Sequence, residues 1–458
     1  MRKFWFSLAL ILTLLALGLT YSGCEQLVPG PGEDSIDAGW VAIYDGQIAD
    51  DDGGQALAVD EEGNLYVTGY SWGDGTSSDY LTMKYSATGK ELWVARYDGT
   101  ANSEDWALDM ARGSSGNVYV TGWSNGDGTK SDYATLKYDA AGKELWVARY
   151  DGLANGYDLA YGIALDYLEN IYVTGWSQGQ GAEVDYATVK YDSDGNQLWV
   201  TYYNGLSDGE DKGCAIAVGG WGNVYVTGWS QGSGIYSDYA TIKYDSAGNQ
   251  LWVARYDGPI GGEDEAQAVA VDTWGNVYIT GWSQGNGTGE DYATVKYDTN
   301  GNQLWVARYD GPASGNDRAL AMVLDDSANV YVTGWSQGNG TGEDYATVKY
   351  DTNGKRLWVA RYDGPVHDED IARDIDIDMW GNAYVTGWSR GNRVRYDYAT
   401  VKYDVNGNHL WASRYDGPAR GHDKAYAITV DARENIYVTG RGSGEETYYD
   451  YTTIKYVQ

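Results

Sequence analysis

The tetrapeptide YVTG or YITG begins at Tyr66, Tyr119, Tyr172, Tyr225, Tyr278, Tyr331, Tyr384 and Tyr437, 53 residues apart each time. Eight copies at a fixed period without an insertion define a repeat architecture, in which each unit is one small block that buries its apolar faces against its neighbours. The fifth unit shows the contents of the block. AQAVAVD (266–272) runs through the turn TWGN into VYITGW, a Gly-rich loop leads to DYATVKYD (291–298), and the turn TNGN leads to QLWVARYDG (303–311). Each apolar or aromatic run is about six residues long, an ordinary strand length, and is bounded by Gly, Asn and Asp. One unit is therefore expected to be one four-stranded antiparallel sheet. The 63 Gly, 43 Tyr and 20 Trp, against 2 Phe and 6 Pro, suit many short aromatic strands joined by Gly-rich turns.

A small sheet with two apolar faces must be covered on both. With short strands and no crossover helices, radial stacking into a propeller satisfies every face. The ends of the repeat region complement one another. The eighth unit stops at Gln458 after DYTTIKY, without an LWVARY strand, while GWVAIYDG (39–46) places Trp40 53 residues before Trp93, in register with the missing strand. The fold expected is all-β: an eight-bladed propeller of four-stranded antiparallel blades spanning residues 39–458, closed by the N-terminal strand through Trp40.

Residues 1–23 carry Arg2 and Lys3, an apolar run from Phe4 to Leu19 and then Ser22 and Gly23 ahead of Cys24. This pattern is that of an export signal and resembles a bacterial lipoprotein signal peptide, which implies that Cys24 is the lipidated first residue of the mature chain. Tyr21 departs from the aliphatic residue usual in that motif. Residues 24–38, rich in Pro, Gly and acids, are expected to form a flexible tether. The expected location is outside the cytoplasm: on a membrane by lipid anchor only, facing periplasm or cell surface, or otherwise secreted. A monomer is expected.

Removing residues 1–23 leaves 30 basic and 66 acidic residues, a net charge of −36. Such a surface repels nucleic acid and anionic headgroups, so neither is expected as a partner. It attracts cations. No cofactor is expected, with calcium left open, although runs such as QIADDDGG lack the alternating spacing of a calcium loop. With Cys24 lipidated, Cys214 has no disulfide partner.

The ordered set GNVYVTGWS, DYATVKYDTNGNQLWVARYDG and AVAVD resembles the bacterial β-propeller repeat of secreted and surface-attached proteins known as the SBBP repeat, over nearly everything after residue 38. The resemblance implies a fold and an envelope location, and no particular activity. A more distant likeness is to quinoprotein propeller repeats, carried by Asp298, Gly301 and Trp305, with a turn one residue shorter.

Asp291, Thr294, Lys296 and Tyr297 have counterparts in every unit and are expected to hold blades together, the lysine by finding a carboxylate. The second-to-third and fourth-to-first connections are expected to be the longer ones and to share a binding face. A Trp opens the first of these loops at six positions, among them Trp282, Trp335 and Trp388. Such rings either stack on sugars or pack across blade boundaries. Symmetry breaks most in unit seven. Arg390, Arg393 and Arg395 replace Gln337, Gly340 and Gly342 of unit six, with His367, His422 and Arg441 expected nearby, and Asp374 and Asp376 replace Ala268 and Ala270 close to the channel. Arginines in that setting suit an anion-recognition patch. No metal-binding His pair or nucleophile motif is present. The function expected is a non-enzymatic binding or scaffolding module for a glycan or an envelope protein; the alternative is a quinone-dependent or carbohydrate-processing enzyme using the central channel.

Overall fold

The computed structural model describes residues 36, 38–46, 50–179, 183–207, 209–232, 234–391, 395–444 and 448–458. The signal segment, Cys24 and Arg393 lie outside the described residues. Eight four-stranded sheets are formed, and all strand pairs are antiparallel between sequence neighbours except at the closure. Blade five is typical: Asp264–Val271 is innermost, followed outward by Val277–Gln284, Glu290–Tyr297 and Gln303–Tyr309. Apart from a 3-10 turn at Gly220–Gly222, the described residues are strands, turns and loops. Among them no helix is long and apolar enough to cross a membrane.

The eighth sheet takes its outermost strand, Ala38–Tyr44, from the N-terminal end of the fold, where it pairs with Asp450–Tyr456. Trp40 sits against Leu65, Val67 and Tyr85 of blade one and Tyr437 and Tyr451 of blade eight. The ring is therefore closed by a strand drawn from the far end of the sequence, as the 53-residue register requires.

Alternation along the strands builds the seams. In blade five, Tyr278 and Tyr292 point toward blade six and join Val330, Val332 and Val348. The opposite face, with Val277, Ile279, Val295 and Tyr297, joins Tyr225 and Tyr239 of blade four. Thr280 and Thr294 hydroxyls meet at 3.0 Å inside the sheet. Trp305 reaches across to the turn of blade six, where its Nε1 donates to the Thr352 carbonyl at 3.0 Å. The glycine of that turn, Gly354, has φ of +78°, and a Cβ there would lie 2.6 Å from the Trp305 ring. Glycine is thus demanded twice, by backbone conformation and by the tryptophan resting on it.

The repeated lysine differs from expectation. Lys296 lies 4.7 Å from the Tyr278 ring and donates to the Thr352 carbonyl at 3.2 Å. Lys190 and Lys243 likewise donate to the Ser246 and Thr299 carbonyls of the next blade. Of the repeated lysines, only Lys84 and Lys349 come within ion-pair distance of a carboxylate among the described residues, at 3.6 and 3.7 Å from Asp60 and Asp325. The turn leaves a carbonyl free at the right place, and the aromatic face supplies the remaining attraction. The repeated aspartate instead meets the arginine of the outermost strand: Arg308 Nη2 lies 2.8 Å from Asp291 Oδ2, while its other nitrogen donates to Ser283 Oγ at 2.6 Å and to Tyr256 of blade four at 2.9 Å.

Candidate ligand-binding face

The channel mouth is built by a backbone irregularity repeated eight times. In the innermost strand of each blade the register slips by one residue, between Ala266 and Ala268 in blade five, leaving Gln267 as a bulge. The equivalent bulge residues are Gln55, Leu108, Tyr161, Cys214, Leu320, Arg373 and Tyr426. A bulge re-aims one side chain without breaking the sheet. Here it lets a position that varies from blade to blade face the cavity, as Gln267, Leu320 and Arg373 do. Over blades five to seven these positions open a cavity of about 460 Å³ whose walls include Glu265, Gln267, Arg318, Arg373 and Glu369.

Trp282, Trp335 and Trp388 also line this cavity. They differ from expectation in lying within strands, not in loops: Trp282 is paired with Glu265 on one side and Tyr292 on the other. The connections on the two faces are correspondingly similar in length, five residues (285–289) and seven (310–316) on one face and five each (272–276 and 298–302) on the other. Trp282 and Trp388 are 4% and 9% exposed. Their flat faces are covered from the next blade: the Arg318 guanidinium sits 4.4 Å above Trp282 and 5.8 Å from Trp335, and Lys212 sits 5.5 and 4.9 Å from Trp176 and Trp229. In blades one and two the wedge is aromatic, with Trp106 stacked at 4.0 Å on Tyr70 and 5.9 Å from Trp123. These rings pack across blade boundaries, with cations already occupying the surfaces a sugar would use.

The arginine-rich region is brought together only in part. Arg390 pairs with Asp368 at 2.6 Å, and Arg395 donates to the Arg420 carbonyl at 2.5 Å. His367 stands apart in its own loop, bonded to Asp363 at 2.7 Å, and that carboxylate holds its imidazole above the ordinary value. His422 is the centre of the cluster. Its ring lies 5.2 Å from that of Tyr396, and burial, then Lys424, Arg395, Arg441 and Arg390, push its imidazole below the ordinary value. Arg441 occupies an aromatic nest, 4.3 Å from the Tyr449 ring and 5.9 Å from Tyr426.

Two cations at the mouth have no counterpart in the sequence reasoning. Lys424 lies 4.4 Å from the Trp388 ring and 4.6 Å from Tyr396. Burial and then repulsion from Arg441 and Arg373 push its ammonium down, with Glu369 opposing. Arg373 is exposed to the cavity, 5.8 Å from the Trp388 ring, and forms no hydrogen bond or ion pair among the described residues. Comparing the eight bulge positions with one another would have exposed it, because they carry Gln, Leu, Tyr, Cys and Arg at one place in the repeat.

Asp374 and Asp376 are on one face, as alternation requires, but that face is turned to blade eight and not to the cavity. Asp374 Oδ2 accepts the Ile428 amide at 2.8 Å, and Asp376 Oδ2 accepts the Val430 amide at 2.8 Å and the Thr429 hydroxyl at 3.1 Å. The innermost strand of a blade is a sheet edge with unpaired amides; these carboxylates cap them. Asp109 does the same for Ile163 at 2.9 Å. Burial raises Asp374 to about 7 and also raises Asp376. Cys214 is a free thiol at its bulge, and burial pushes it up to about 12.

Residues 46–75, 148–181 and 255–287 match the beta-propeller repeat family SBBP. These three stretches are similar to the SBBP repeat. The chain is also similar to an uncharacterized WD repeat-containing protein of Acanthamoeba polyphaga mimivirus, at 25% identity over 446 residues, covering 79% of this chain and 31% of that protein. The chain thus spans about a third of the length of that relative. Among solved structures, the chain is similar to a eukaryotic initiation factor (TM-score 0.41, 10% identity, 79% of this chain and 88% of the other). It is similar as well to a protein of unknown function from Dyadobacter fermentans (TM-score 0.41, 11% identity, 76% and 93%).

Proposed function

We propose that this propeller is an exported, lipid-anchored, non-enzymatic binding module whose channel mouth grips an anionic group on a glycan or an envelope protein. The observation that carries the reading is the grouping of Arg373, Lys424 and Arg441, close enough for Lys424 to be repelled by both arginines, in a chain of net charge −34. Arg373 faces the cavity with no hydrogen bond or ion pair among the described residues, and with Lys424 beside it over the Trp388 ring it suits a carboxylate or sulfate that arrives from outside. The rigidity of the surrounding strands holds them in place without reorganisation. Orientation supports the reading. Ala38 pairs with Tyr456 at the tight-turn end of blade eight, and Tyr44 pairs with Tyr451 toward the mouth. A tether leading back from residue 38 to Cys24 therefore leaves from the face opposite the mouth, which an anchored propeller would turn away from its membrane.

The test is binding of purified protein to an array carrying neutral, uronate-bearing and sulfated oligosaccharides, together with capture from an envelope fraction. Wild type is expected to retain acidic ligands and the double variant Arg373→Gln, Lys424→Gln to lose them at least tenfold. Equal binding by wild type and variant rejects the site.

A further inference from the structure

All but one of the seams gather three aspartates that lie far apart along a blade. At the seam of blades one and two, Asp79 comes from the third strand of blade one, Asp98 follows its outermost strand, and Asp105 opens the innermost strand of blade two. One carboxylate oxygen from each lies within 4.8 Å of the other two. The same arrangement recurs as Asp132, Asp151 and Asp158; as Asp238, Asp257 and Asp264; as Asp291, Asp310 and Asp317; as Asp45, Asp52 and Asp450 at the closing seam; and in two further groups.

The hydrogen bonds account for only one side of these carboxylates. Asp79 Oδ2 accepts from Arg96 Nη1 at 2.8 Å and from the Thr76 hydroxyl at 3.1 Å, and Asp105 Oδ2 accepts the Gly99 amide at 2.6 Å. The Oδ1 atoms of Asp79, Asp98 and Asp105 are all shut off from solvent and accept nothing from the described residues. Asp79 and Asp105 are 1% and 0% exposed. The same orphaned oxygen occurs on Asp132, Asp158, Asp291, Asp344 and Asp363. A buried acceptor without a donor is costly, and three carboxylates sharing a site repel each other; the single arginine at such a seam leaves two negative charges over. The donor set is all carboxylate oxygen, which selects a hard cation. Calcium places its oxygens at about 2.3–2.6 Å, so any two ligands of one ion lie within about 5 Å, and it accepts irregular geometry with water filling the shell.

We propose that the seams are calcium sites, each holding one ion between Asp79, Asp98 and Asp105 or their counterparts. The ion would join the third strand and outer loop of one blade to the innermost strand of the next, so that calcium ties neighbouring blades together. One seam lacks the set: Asn204 stands where other blades have the second aspartate, as in Asp98 and Asp151, although Asp211 keeps its orphaned oxygen. Seven ions per chain follow, not eight.

The test uses the full chain, stripped with chelator and dialysed against calcium on the order of 1 mM, with bound metal counted by mass spectrometry and melting followed in parallel. About seven calcium ions per chain and a higher melting temperature are expected, with magnesium a poor substitute. Asp98→Asn should lose one ion and Asn204→Asp should gain one, a gain that neither misfolding nor diffuse attraction to an acidic surface produces. No retained calcium, or a count that is the same in wild type and both variants, overturns the proposal.

Discussion

The Tyr398 hydroxyl donates a 3.1 Å hydrogen bond to the carbonyl of Thr452 in the following blade. Its counterparts do the same at six other seams, from Tyr80 to Ala134 through Tyr345 to Ala399. At the eighth, where the ring closes, the equivalent hydroxyl of Tyr451 is buried without a partner among the described residues. The closing seam is thus chemically distinct from the seven seams between sequence-adjacent blades. Tyr398→Phe should lower stability by about 1 kcal/mol, the net worth of such a bond, whereas Tyr451→Phe should be neutral or stabilising by up to about 1 kcal/mol. Denaturant midpoints of the two variants compared with wild type decide the matter, and equal losses would contradict the distinction.

Trp40 is 6% exposed, and its indole rests on Gly89 of blade one while Nε1 donates to the Ala87 carbonyl at 3.3 Å. Trp40→Ala should cost about 3–5 kcal/mol. Deleting residues 39–46 should expose two sheet edges and cause aggregation or a large fall in melting temperature. Adding the same eight residues after Gln458 should restore it. An unchanged melting temperature after the deletion would refute closure by this strand.

Asp374 gives the fold a pH dependence of definite sign. Its carboxyl is raised from 3.8 to about 7, chiefly by burial, so the folded chain binds more protons than the unfolded one between those values. Stability must then fall as pH rises through that window and level off above it. Asp374→Asn keeps an acceptor for the Ile428 amide and should remove this part of the slope. Melting temperatures at pH 5 and pH 8 should differ by a few degrees less in the variant than in wild type; parallel curves would show that Asp374 is ionised throughout.

Replacing Arg390, Arg393 and Arg395 by Gln, Gly and Gly, the residues of blade six, should leave folding intact, since Arg390 contributes one partly exposed ion pair worth well under about 1 kcal/mol. It should weaken acidic-ligand binding, because it removes positive charge beside His422 and Lys424, whereas Gln284→Ala in blade five should have no effect. Undiminished binding by the triple variant would confine recognition to Arg373, Lys424 and Arg441.

Cys24→Ala should move the exported protein from the membrane fraction to the soluble fraction, because stable anchoring depends on more than one buried acyl chain at about 0.8 kcal/mol per CH₂. Equal membrane recovery of variant and wild type would reject lipidation.

The blades and their closure could be read from the chain because eight copies of one pattern average out local ambiguity, and Trp40 kept the register of an absent strand. Face assignment within strands followed from alternation, which separates Tyr292 from Val295 correctly. The mouth was less legible for two physical reasons. The bulge at Gln267 interrupts alternation, so Arg373 could not be assigned to the channel by counting. Side chains such as Arg318 and Lys424 lie over the tryptophans of neighbouring blades, a relation set by blade packing and not by spacing within a unit. The same limit sent Asp374 toward the channel in place of the next blade's edge.

Pairing of Ala38–Tyr44 with Asp450–Tyr456 makes the first strand of the propeller wait for the last. Every other sheet can zip from consecutive hairpins, with short loops to close, and is complete as soon as its own residues are available. Blade eight requires a contact spanning more than 400 residues, so it must be the final event of assembly and the slowest. Until then the molecule is an open spiral with one adhesive edge at each end, and two such molecules could exchange terminal strands as readily as one could close on itself. Dilution during refolding should therefore decide between a ring and a strand-swapped chain of rings.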